Sequence, residues 1–282
     1  MTARALRDRA TKAEEQWRRF GEEDPYYGVL TEDRYRRENL DEAAREAFFR
    51  SGQETIDGLV ARMQELGQPQ HWTRAMDFGC GVGRLLVPLA DRADQVVGVD
   101  VSPEMLAEAR RSCEARGLDN VLLLEVGRLG ELSADFDLIT SYIVFQHIPS
   151  RTGYELTRRL TALLAPGGVA MLHFALTPGS AWDRAHGTKR VCTYPFYWTL
   201  RHVPGARAIW NVMRKRARDY PIMEMNGYRL DQLLRDLHAA GIREVTIQYH
   251  PPPVGPSGRR DLTAFSGALL TYAKSPRPPV SA

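Results

Sequence analysis

The chain has 282 residues, 43% of them apolar, and a net charge of only +3 from 38 Lys and Arg against 35 Asp and Glu. That suits one main domain with added segments and excludes the basic excess of a dedicated nucleic-acid binder. Three scattered cysteines, Cys80, Cys113 and Cys192, form neither a disulfide framework nor a metal-ligand spacing, so no metal is expected and a reducing cytoplasm fits; the charged N-terminus lacks a signal-peptide core, and no apolar run nears the roughly 18 residues of a membrane span.

In chain order, residues 1–20 mix charged and small apolar residues and read as an exposed helix. Residues 21–33 read as a loop, with Pro25 and Gly28 as breakers. Residues 39–67 are mostly helical: Leu40, Ala44, Ala47 and Phe48 form one apolar stripe and Ile56, Leu59, Val60 and Met63 another. Gly52 and Gly58 are points of interruption, and Gly67 and Pro69 close the helix.

The pattern changes at residue 74. A short strand, "RAMDFG", runs into a glycine loop, followed by a helix over 83–93 in which Pro88 predicts a kink. A second strand spans 95–100. A helix over 102–117 has Ser102 as its cap, Pro103 at its first position and Gly117 at its end. Strands follow at 120–126 and 136–144, a helix and turn at 153–168, and a fifth strand at 169–176. Strands alternating with helices predict right-handed crossovers and a mostly parallel sheet covered on both faces, with ligands beyond the carboxyl ends of its strands.

Residues 177–226 break the rhythm with aromatics and arginines and read as an insertion. The alternation resumes in a helix at 228–242 and a strand at 244–250. A last strand at 265–274, with no helix before it, is expected to be antiparallel, and 275–282 is expected to be a disordered tail. The domain reading is therefore an N-terminal helical lid over 1–70, a Rossmann-like core over 71–176, an acceptor cap over 177–226, and the last helix and hairpin over 227–274.

The loop places glycines at 79, 81 and 83, followed by Arg84. A dinucleotide loop needs its third glycine one position later, and a Walker loop ends in Lys and Ser or Thr, so a phosphate ligand is disfavoured. Asp77, just before the loop, would repel phosphate and suits an ammonium. Asp100 ends the second strand, where a carboxylate accepts hydrogen bonds from ribose hydroxyls. An adenosine at one end and a cationic amino acid at the other describe S-adenosylmethionine.

With "DFGCGVG", "VVGVDVSPEMLAEAR", "FDLITSYIVFQHIP" and "LLAPGGVAMLHF" in register, the chain resembles the class I S-adenosylmethionine-dependent methyltransferases, strongly over about 74–176 and more weakly at the last helix and hairpin. The resemblance implies a Rossmann-like sheet of seven strands with the last antiparallel. It implies that Gly79, Cys80, Gly81 and Gly83 cradle the methionine part, that Asp77 positions its ammonium and that Asp100 holds the ribose. Val101 and Met105 would flank the adenine, the stretch "VGRL" (126–129), with Gly127, Arg128 and Leu129, would cover its other face, and Ser141 and Tyr142 would border the methionine or methyl. One of Tyr26 and Tyr27 would touch the cofactor from an N-terminal lid.

Other residues stay open at this level. His147 is either a general base or a cap or core histidine. His173 is an active-site group or a core or rim histidine, and Met105 is core or an adenine contact. Tyr194, Phe196, Tyr197 and Trp198 line an acceptor pocket or form the core of the insertion. The run "RKRAR" at 214–218 is a solvated face or an anion-binding patch. The expected activity is in-line methyl transfer to a small-molecule acceptor, as in natural-product modification, with oxygen favoured. The alternative is an RNA or other macromolecule methyltransferase using the basic insertion. No DNA partner is expected, and oligomeric state stays open.

Overall fold

The computed structural model describes residues 3–176, 203, 205–213, 221, 223, 225–250 and 267–275. The aromatic residues 194–198 and the basic run 214–218 lie outside the described residues.

Seven strands form one sheet in the order β3-β2-β1-β4-β5-β7-β6. They are β1 (Trp72–Phe78), β2 (Ala93–Asp100), β3 (Val121–Glu125), β4 (Phe136–Ser141), β5 (Leu164–Ala175), β6 (Thr246–His250) and β7 (Gly267–Ala273). Neighbours from β3 to β5 are parallel, and β7 runs antiparallel between β5 and β6. The chain order reverses between β1 and β4, so a crevice opens beyond their carboxyl ends.

Helices α1 (Ala3–Glu23), α2 (Pro25–Val29) and α3 (Glu42–Glu65) precede the sheet; α4 (Leu86–Ala90), α5 (Pro103–Glu114) and α6 (Ser150–Leu163) join its strands; α7 (Ala206–Met213) and α8 (Leu230–Ala239) follow. Alternate strand residues point to opposite faces. Ala75, Val96, Leu138 and Met171 pack with Phe48, Ile56 and Met63 of α3 and Ala109 of α5. Met76, Val97, Ile139 and Leu172 pack with Leu160 of α6 and Leu233 and Leu237 of α8. This two-sided burial is why the strands read as nearly continuous apolar runs.

Local chemistry sets several boundaries. The Asp41 carboxylate accepts from the Ala44 amide at 2.8 Å and starts α3. Ser102 caps α5 by accepting from Met105 N at 3.2 Å, with Pro103 at the first position as expected. Other expectations are corrected. Gly52 and Gly58 do not interrupt α3; a Cβ at Gly52 would stand 1.9 Å from the Arg84 carbonyl oxygen, so this glycine admits the end of the glycine loop. Pro88 produces no kink, because α4 begins only at Leu86 and Pro88 falls in its first turn, where the amide has no helical partner to lose. β4 stops at Ser141 rather than 144, because Ile143 turns to φ 62°. β5 starts at Leu164, which pairs with Phe136 across a register shift.

The N-terminal expectations change most. Helix α1 is not simply exposed: Phe20 is buried, and Trp17 lies 4.8 Å, ring to ring, from His147. The stretch expected as a loop holds α2, with Pro25 at its start.

A buried tyrosine fixes the turn carrying His147. The Tyr228 hydroxyl lies 2.9 Å from both the Phe145 and Ile148 carbonyl oxygens. Tyr228→Phe leaves these groups short of a donor and is expected to cost about 1–3 kcal/mol. Chemical denaturation checks this; an unchanged midpoint would mean that the turn holds without the tyrosine.

Candidate functional site

The loop after β1 folds back onto β2. Gly79 and Cys80 donate their amides to the Val99 carbonyl at 2.7 and 3.0 Å, and Gly83 N donates to Cys80 O at 2.9 Å. Gly79 sits at φ 80°, and a Cβ there would lie 2.4 Å from Val144 Cγ2. Only glycine fits both the backbone angle and the space.

Asp100, the last residue of β2, ties this loop down. Its Oδ1 accepts from the amides of Val101 and Ser102 at 2.8 and 3.0 Å, and its Oδ2 accepts from Gly81 N at 2.9 Å. A carboxylate has about four acceptor sites, so Oδ2 keeps the remaining one. Burial raises the Asp100 pKa, against the lowering effect of the three amides.

A pocket of about 1060 Å³, open mouth included, lies beyond the ends of β1, β2 and β4. Of the expected cofactor residues, Asp77, Gly79, Cys80, Asp100, Val101 and Tyr142 line it, as does His147. Gly81 and Gly83 stand behind the wall: Gly81 bonds Asp100, and Gly83 turns at φ 93° against Ala109.

Other expected contacts lie off this wall. Met105 is buried core, packed under Gly28. Ser141 is fully buried, and its hydroxyl donates to Phe78 O at 2.8 Å. Residues 127–129 sit in a 3₁₀ turn that takes Leu129 into the core and Arg128 outward to Glu131, leaving Val126 on the wall. Tyr26 and Tyr27 are both buried; the Tyr26 hydroxyl donates to Glu108 at 2.8 Å, and the Arg36 guanidinium lies 3.8 Å from the Tyr27 ring centre. Their neighbours Gly28 and Val29 face the pocket instead. His173 is buried behind Tyr142, ring centres 5.0 Å apart. Tyr194, Tyr197 and Trp198 lie outside the described residues.

The electrostatics are asymmetric. Asp77 is 2% exposed, and its pKa is pushed up to about 7, first by burial and then by the nearby Asp100 charge, against the pull of Arg84. Burial pushes the Cys80 thiol well above its usual value, and Asp100 and Asp77 add to this, so Cys80 is wall rather than nucleophile. His147 is 8% exposed, and the Gln146 amide nitrogen lies 3.2 Å from its Nε2.

Among the wall residues that the sequence reading gave no site role are Trp17, Arg84, Ile143 and Val144. Arg84 had a signal, since it directly follows the third glycine. Ile143 has a left-handed backbone unusual for a β-branched residue, which no composition signal reveals. The donor set fits an adenosine carrying an amino-acid tail: one carboxylate with an open acceptor, one carboxylate set to meet a cation, and a glycine where a Cβ has no room.

The model of a family described as "Methyltransferase domain" matches residues 75–168. Aklanonic acid methyltransferase from Streptomyces sp. (strain C5) is 29% identical over 111 residues, 38% of this chain and 50% of that one. A 23S rRNA (uracil(1939)-C(5))-methyltransferase of Shewanella sp. (strain ANA-3) is 39% identical over 77 residues, 27% of this chain and 16% of that one. The chain thus spans half or less of the length of these curated relatives. Magnesium protoporphyrin IX methyltransferase from Synechocystis PCC 6803, solved with bound S-adenosylhomocysteine, shares the fold at a TM-score of 0.52 with 19% identity, over 96% of this chain and 98% of that one.

Proposed function

From a chain whose residues 75–168 are a class I S-adenosylmethionine-dependent methyltransferase domain, we infer that the whole protein transfers a methyl group from S-adenosylmethionine to a small-molecule acceptor, with oxygen as the favoured target. The observation that carries this is one pocket lined by both Asp77 and Asp100, at the ends of adjacent strands.

The bound donor supplies an already activated methyl group, so the chain's task is to bind, orient and exclude water. Asp100 Oδ2 would accept from a ribose hydroxyl, Val101 and Val126 would flank the adenine, and Asp77 would hold the ammonium. Helices α1 and α2 contribute Ala13, Trp17, Gly28 and Val29 to the wall. This supports the reading of the N-terminal segment as a lid that keeps water from the reacting atoms. An acceptor hydroxyl must lose its proton, and His147 is the pocket base whose usual pKa suits that role.

Relatives acting on a small molecule and on RNA both match this chain, so the acceptor is argued from the site. The wall is mainly apolar, with Leu85, Ile143, Val144, Ile148 and Leu156 around few polar groups, and suits a compact apolar acceptor. A methyl-transfer screen of phenols, enols and carboxylic acids tests this. Salt-sensitive methylation of RNA with no turnover of any small molecule would replace it. His147→Ala is expected to lower turnover by roughly 10²- to 10⁴-fold while S-adenosylhomocysteine affinity stays within about two-fold. A near-normal rate would make the histidine structural.

A further inference from the structure

Among the described residues, four of the five large apolar side chains that stand exposed fall in one short stretch: Val203, Ile209, Val212 and Met213. The last three belong to α7 and are 64%, 52% and 73% exposed. Positions 209, 212 and 213 are three and four residues apart, so they share one face of the helix. Single exposed apolar residues are ordinary on a protein surface. A stripe of them on one helix face marks a surface that another body covers.

The same stretch concentrates the positive charge. Residues 201–218 hold six cations, Arg201, Arg207, Arg214, Lys215, Arg216 and Arg218, and no acid, although the whole chain nets only +3. The rest of the chain is therefore net acidic. The segment is also anchored at the functional end of the sheet. Leu176, just after β5, bridges Tyr228, and Asn226 N donates to Gln146 O at 2.6 Å. The chain thus leaves and returns at the edge where the pocket opens.

We propose that the apolar face of α7 is a docking surface for an anionic lipid membrane. Aliphatic side chains enter the boundary between headgroups and acyl chains, while neighbouring arginines and lysines stay with the lipid phosphates. That occupant uses both features of the stretch. A second copy of the chain would bring six cations against six. An RNA would use the cations, but it binds through stacked aromatics and arginine planes and offers little to Ile209, Val212 and Met213. The contact is peripheral, since no helix among the described residues is long and apolar enough to cross a membrane. It involves no residue of the pocket, so it is independent of the methyltransferase reading.

Co-sedimentation of the full chain with lipid vesicles tests this. Wild type is expected to bind vesicles of equimolar phosphatidylglycerol and phosphatidylcholine at least roughly 10-fold more tightly than phosphatidylcholine alone, and to be released by high salt. The triple variant Ile209→Ser, Val212→Ser, Met213→Ser should lose roughly 10- to 100-fold in binding to the anionic vesicles. Its melting midpoint should stay at the wild-type value, because the three side chains are exposed. Binding by the serine variant equal to wild type would overturn the proposal, leaving the cations as a general anion patch. Equal binding to both kinds of vesicle, or to neither, would also overturn it. Wild type that ignores vesicles but binds a mixed-sequence RNA in a salt-sensitive way would assign the stretch to nucleic acid instead. Wild type that ignores vesicles and doubles in mass by light scattering, with the serine variant monomeric, would make the face an interface between copies.

Discussion

Asp100→Ala is expected to raise the dissociation constant for S-adenosylhomocysteine by at least about 100-fold, beyond detection in a calorimeter at ordinary protein concentrations. Two losses combine. The substitution removes the acceptor for the ribose, and it releases the amides of Gly81, Val101 and Ser102. The Gly81 bond is the one that folds the glycine loop against β2, so the cradle loosens together with the contact. Asp100→Asn separates the two: an amide oxygen still accepts from Val101 and Ser102, while the group facing Gly81 N and the ribose becomes a donor. Its affinity should fall between wild type and alanine. Unchanged affinity in Asp100→Ala would remove the ribose assignment and leave Asp100 as a loop anchor only.

Asp77 gives the second large effect, and its direction depends on pH. In the free protein its pKa is pushed up to about 7, with burial the main cause. Only the ionised carboxylate attracts the donor's ammonium, so affinity should rise as pH climbs from about 6 to 8 and the carboxylate ionises. Asp77→Asn should flatten that rise and lower affinity at pH 8 by roughly 10- to 100-fold. Stability runs the other way. An unfolded aspartate has a pKa of about 3.9, so the folded free protein binds the extra proton between that value and about 7. Stability is therefore favoured at the acid end of this window and falls as pH rises through it. Asp77→Asn removes a buried charge and should raise the melting midpoint of the free protein at pH 8 while weakening the ligand. A variant that loses both stability and affinity at pH 8 would show that the carboxylate is structural.

The sequence revealed what depends on short stretches. The glycine loop, Asp77 and Asp100 are legible because backbone angles and strand ends are set within a few residues. The sheet is legible because apolar runs alternate with helical stripes, and the antiparallel β7 follows from the missing helix before it. What was not legible depends on contacts between distant segments. The mixed charges of α1 hide the fact that Trp17 reaches His147 across the pocket. Tyr26 and Tyr27 read as lid residues, but the turn of α2 sends them inward and leaves Gly28 and Val29 facing the pocket. Residues 126–129 were expected on the adenine because they follow β3, yet the 3₁₀ turn leaves only Val126 of them on the pocket wall. Arg84 was read only as a missing glycine, because its partners on α3 lie about thirty residues upstream.

A crystal structure of the protein with S-adenosylhomocysteine tests most directly where the donor binds. A ribose hydroxyl should lie within hydrogen-bond distance of Asp100 Oδ2, with the amino-acid end against Asp77 and the sulfur facing the cavity that holds His147. A ligand lodged elsewhere, or one in this pocket touching neither aspartate, would contradict the proposed site and the reaction built on it.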